Sequence, residues 1–173
     1  MKKLFIPSVV IFFLWVLGCT NVTGFYFVHP ILEIEADTTM ITAIIPEGGQ
    51  NGWQTWDTGV DTVSFSLTVH ETKGYIAYVT GIEVKAYDAN GDYSASAANI
   101  DYIPPKEVEG NGELSIGNID LYITERIAGD IENADPNNRI GYLKFVVKFY
   151  DENVDNYESL PFYVKLKVMY PTP

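Results

Sequence analysis

From residue 25 onward the chain is written in a period of two. Val63, Phe65, Leu67 and Val69 alternate with Thr62, Ser64, Ser66 and Thr68. Ile82, Val84 and Ala86 alternate with Glu83, Lys85 and Tyr87, and Ile119, Leu121 and Ile123 with Asp120, Tyr122 and Thr124. The last two runs are Leu143 to Phe149 and Phe162 to Val168, interleaved with Lys144, Val146 and Lys148 and with Tyr163, Lys165 and Lys167. Successive side chains of a strand point to opposite faces, so each run lays one apolar row into a core and leaves the other in water. The pattern predicts antiparallel strands near 25–35, 39–45, 60–70, 76–87, 92–102, 113–124, 140–150 and 160–169, with the last pair forming a long hairpin.

The breaks between runs carry turn chemistry: Glu71-Thr72-Lys73-Gly74, Asp88-Ala89-Asn90-Gly91, Pro104-Pro105 and Asp151 to Asn156. No stretch shows a sustained helical period, although Ser94 to Ala98 has room for one turn. With no helices to cover them, seven to nine strands must bury their apolar rows against one another, which predicts an all-β, antiparallel β-sandwich. The segment Val63 to Gly91, with its alternating strand, Glu-Thr-x-Gly turn and Tyr-Asp-x-x-Gly ending, resembles bacterial immunoglobulin-like or fibronectin-type domains. That resemblance implies an immunoglobulin-like sandwich. Such folds host many unrelated roles, so the resemblance implies no activity.

The chain opens differently. Met1-Lys2-Lys3 is followed by the apolar run Leu4 to Leu17, interrupted by Pro7, and then by Val16-Leu17-Gly18-Cys19. Fourteen apolar residues suit the core of a signal peptide, whereas a spanning helix needs about 20. The Val-Leu-Gly-Cys ending resembles the lipobox of bacterial lipoproteins. The resemblance implies a cleaved signal peptide over 1–18 and a diacylglycerol on the Cys19 sulfur. Further acylation at the new amino terminus and an extracytoplasmic place on a membrane of the cell envelope are implied as well. The alternative is an ordinary secretory signal with Cys19 merely nearby. Residues 19–24 then form a short tether, and 25–173 a single β-domain. Two or three acyl chains hold a protein durably, at about 0.8 kcal/mol per buried CH₂.

Charge narrows the partners. The 173 residues hold 11 basic and 23 acidic side chains, and loss of Lys2 and Lys3 with the signal takes the net charge from −12 to −14. Such a chain repels a phosphate backbone, so nucleic acid is not an expected partner. One cysteine permits no disulfide framework.

Catalytic signatures are not expected either. His29 and His70 lie in no nucleophile or metal motif, and no glycine loop suits a phosphate. The reading is therefore a chain without catalytic residues, resident metal or cofactor. Asp88 to Asp92 matches the first half of a calcium loop, but Tyr93 stands where a glycine belongs and Asn99 where a bidentate Glu belongs. A hairpin turn explains the same letters.

Two surface features remain as candidates. Trp53 and Trp56, in a Gly-rich polar connection, either cap one end of the fold or stack on sugar rings. Lys144, Lys148, Lys165 and Lys167 fall on the outward rows of the last two strands with Tyr142, Tyr150 and Tyr163, and Lys85 joins them if its strand is adjacent. This basic, tyrosine-rich face serves either as a solvated, edge-protected sheet or as a docking surface for an acidic envelope protein or glycan. The 15-residue connection from Glu125 to Arg139 reads as a long loop.

Overall fold

The structure is a computed structural model that describes residues 29–45 and 60–170. The lipobox with Cys19, and Trp53 and Trp56, lie outside the described residues. Within them the chain is all-β apart from one helix: β1 (Leu32–Glu35), β2 (Met40–Ile44), β3 (Val60–Glu71), β4 (Ala77–Tyr87), β5 (Tyr93–Val108), β6 (Glu113–Thr124), α1 (Glu125–Ala134), β7 (Ile140–Tyr150), β8 (Asn156–Glu158) and β9 (Phe162–Met169).

The strands form two sheets. One has the order β1-β3-β6; the other runs β2-β9-β7-β4-β5, with β8 beside β7. The alternation places Leu32, Phe65, Leu67, Val69, Ile119, Leu121 and Ile123 of the first sheet in one core with Ile82, Val84, Phe145, Val147, Val164 and Leu166 of the second. Phe65 and Phe145 meet across it with ring centroids 4.8 Å apart. Burying each such side chain contributes roughly 1.5–3 kcal/mol, which is what holds the two sheets together.

The expected last hairpin is present but interrupted. β7 pairs with β9 through Ile140 to Phe145 and with β8 through Lys148 to Tyr150. The break at Ser159 is tied down by its hydroxyl, which accepts from the Val147 N–H at 3.0 Å.

Three expectations are corrected. The connection after β6 is not a long loop: ten of its residues form α1. Ile127, Ala128 and Ile131 supply a buried stripe at helical spacing, and the Thr124 side chain caps the first turn by accepting from Ile127 N–H. Pro104-Pro105 does not end a strand. β5 runs on to Val108, and the prolines fall in a bulge between the Gly81–Asp101 and Val79–Lys106 pairs, where no ladder donor is needed. Ser94 to Ala98, where there was room for a helical turn, lie in β5, as the strand expected over 92–102 requires. Finally, the pairing is not wholly antiparallel, because β2 runs parallel to β9. The chain leaves the first sheet after β1 and joins the edge of the second without a hairpin, so no turn dictates an opposite heading.

Candidate partner-binding face

The outward rows of the six-stranded sheet bring the sequence-predicted lysines together. Lys144 on β7 stands opposite Tyr163 on β9 and Lys85 on β4. Lys165 stands opposite Tyr142 and, on its other side, Met40 of β2. Lys167 lies between Ile140 and Thr42. Lys148 is flanked by Gly81 and Glu158. The condition set for Lys85 is met, since β4 is the direct neighbour of β7. These five are a majority of the nine Lys and Arg side chains that follow Lys2 and Lys3, so positive charge is concentrated here.

Like charges directly opposite one another are unfavourable. Lys85 and Lys144 tolerate it because Glu83 sits on the same row two residues away and its carboxylate is 2.9 Å from Lys85 Nζ. The Lys85 hydrogen bond, helped by the positive charge of Lys148 and Lys144, holds the Glu83 carboxyl below its usual range against the opposing effect of burial. The same bond raises Lys85 above an ordinary lysine. Val146 lies on this outward row yet is only 7% exposed. It stands between Lys144 and Lys148 in the strand and opposite Glu83, among side chains whose apolar stems cover such a residue.

The face is also apolar in a way the alternation alone did not disclose. Met40, Ile44, Tyr93, Tyr142, Tyr163 and Met169 are all among the exposed large hydrophobic side chains and all lie on its rows. Sequence reading missed Met40 and Ile44, because β2 reaches this sheet only through its parallel pairing with β9. Negative charge gathers at one end, where Asp101, Glu107 and Glu158 stand opposite Gly81, Tyr78 and Lys148.

The opposite surface has contrary character. On the outer rows of β1, β3 and β6 stand Glu33, Glu35, Glu113 and Asp120 among Thr62, Ser64, Thr68 and Ser115. A groove of about 480 Å³ opens there, lined by Glu35, Asp37, Thr68, His70 and Glu113 among others. His70 Nε2 lies 3.3 Å from Glu35 and its Nδ1 3.7 Å from Glu113. The first contact is one of distance only, since no hydrogen bond reaches that nitrogen.

Other acids are explained by turns. Asp88 accepts from the N–H groups of Asn90 and Asp92, so the residues that half-match a calcium loop close the β4–β5 hairpin. Asp151 does the same for Asn153 and Asp155. Among the described residues, no group of three or more His, Cys, Asp or Glu side chains is placed to hold a metal ion. No helix among them is long and apolar enough to cross a membrane.

No protein family and no curated protein matches the chain. Among solved structures, a Northeast Structural Genomics Consortium target designated SoR45 is similar with 12% identity and a TM-score of 0.43, over 78% of this chain and 85% of that one. The putative ApaA protein from Bordetella pertussis is similar with 10% identity and a TM-score of 0.42, over 78% and 93%. Likenesses at this level carry no functional inference.

Proposed function

We propose that this chain is a lipid-anchored protein of the bacterial cell envelope, with an immunoglobulin-like domain that acts by binding rather than by catalysis, and that the lysine face is its docking surface. The observation that carries the reading is the collection of Lys85, Lys144, Lys148, Lys165 and Lys167 on one sheet face of an otherwise acidic molecule, interleaved with exposed tyrosines and methionines. Tyrosine and methionine are enriched where proteins meet, and a basic face on an acidic body selects and steers an acidic partner. Lipid on Cys19, as the lipobox resemblance implies, would keep that face within reach of other envelope components.

The strand connectivity favours the immunoglobulin-like assignment. In chain order β1, β3 and β6 take the places of strands A, B and E in one sheet, and β4, β7 and β9 those of C, F and G in the other, with β5 added beside C as in variable-type domains.

The experiment is affinity capture of envelope proteins and glycans by the full chain and by its Lys144→Glu/Lys165→Glu variant. A binding face predicts that acidic partners are lost from the variant while its circular dichroism stays that of a β-protein. Identical partners in both would reject the face.

A further inference from the structure

The molecule is charged in opposite senses on its two broad surfaces. Five lysines stand on the outer rows of the six-stranded sheet, offset near its centre by Glu83 and at one end by Asp101, Glu107 and Glu158, which leaves Lys144, Lys165 and Lys167 as its basic part. On the outer rows of the three-stranded sheet, Glu33, Glu35, Glu113 and Asp120 stand with no lysine or arginine among them. Side chains of both sheets fill one core, so the basic and the acidic outer rows both face away from that core. The acidic surface therefore cannot neutralise the basic one within the same copy. It is free to do so for another.

We propose that the lysine face of one copy docks on the acidic face of a second copy, head to tail. The inference rests on the reading of the lysine face as a docking surface, and it names the partner. Tyr163 is 56% exposed and stands beside Lys165 on β9, so the two project from the basic side. The acidic side offers the groove of about 480 Å³, where His70 lies between Glu35 and Glu113 and the hydroxyls of Ser66, Thr68 and Ser115 can accept hydrogen bonds from an ammonium group. Because the two patches differ, the contact is heterologous and does not close on itself. It generates rows of molecules rather than a two-fold dimer.

The test uses the full chain in a neutral, non-ionic detergent, with a carbodiimide that joins amines to carboxylates only where they touch. The expected result is a ladder of cross-linked oligomers whose linked peptides join Lys144 or Lys165 to Glu35 or Glu113. The ladder should disappear in about 1 M salt, where charges are screened within ~3 Å. Two charge-reversed variants, Lys144→Glu/Lys165→Glu and Glu35→Lys/Glu113→Lys, should each stay monomeric alone. Mixed in equal amounts they should assemble again, a rescue that misfolding cannot produce. A chain that stays monomeric at low salt, or a mixture that fails to assemble, overturns the proposal. If the chain stays monomeric yet the Lys144→Glu/Lys165→Glu variant loses envelope partners, self-docking is wrong and the docking face survives. Lysine-dependent binding to phosphatidylglycerol vesicles by monomers would likewise overturn self-docking in favour of a lipid surface.

Discussion

Glu71 ends β3 and is 2% exposed, yet among the described residues it makes no ion pair. Its carboxylate instead accepts from five backbone N–H groups, those of Ile31, Lys73, Gly74, Tyr75 and Asn111, at 2.6–3.3 Å. Burial by itself pushes the carboxyl up, but the backbone donors together outweigh it and hold it below the ordinary carboxylate value. One residue thus ties the start of β1, the β3–β4 turn and the β5–β6 turn. A lowered folded-state value means that this stabilisation is present above the unfolded pKa of about 4.3 and fades as pH falls through the folded one. Glu71→Ala, which orphans those donors, is expected to cost about 3 kcal/mol at neutral pH by denaturant titration. Glu71→Gln should remove Glu71's share of the stability loss on acidification, so its stability should depend less steeply on pH below about 4.3 than that of the unaltered chain. The turn letters Glu-Thr-Lys-Gly were legible in the sequence. The staple was not, because Ile31 and Asn111 each lie 40 residues from Glu71 in the chain.

At the scale of elements, α1 shows how a weak local signal is completed by its surroundings. Gly129, Asp130 and Asn133 are poor helix formers, and ten residues are too few to be helical alone. The helix holds because Ile127, Ala128 and Ile131 are buried and because its far end is fastened. Glu132 accepts from Arg139 Nε at 3.0 Å and from the Tyr170 hydroxyl at 2.9 Å, binding the helix to the turn before β7 and the residue after β9. Burial, reinforced by that hydrogen bond and the Glu132 charge, pushes the Tyr170 hydroxyl far above an ordinary tyrosine. The Ile131 side chain rests against Gly141, where an added Cβ would lie 2.7 Å from it. Ile131→Ala is therefore expected to lower stability by about 2–4 kcal/mol and Thr124→Ala by about 1 kcal/mol, both read from chemical denaturation. Equal, negligible losses would mean that α1 contributes nothing to the core.

For the whole molecule, the lipid-anchor proposal makes its own prediction. In cells fed a labelled fatty acid, the chain should take up label, and Cys19→Ser should abolish it and shift the protein from the membrane to the soluble envelope fraction. Label retained by Cys19→Ser would remove the anchor from the account and leave the β-domain untouched. The two parts are independent because the proposed anchor would rest on a local motif, whereas the domain is a packed core. The same division separates what could be read early from what could not. Alternation at period two determined which residues form most of the strands, and that the lysines of the last two strands share a face, because side-chain direction in a strand depends only on position along it. It could not determine that β2 runs parallel to β9, that Met40 and Ile44 join the lysine face, or that the acids of β1 and β6 gather on the opposite surface. Those facts depend on which strand lies beside which. Pairing partners distant in sequence are selected by the burial of one shared core, a property of the assembled sheets and of no segment alone.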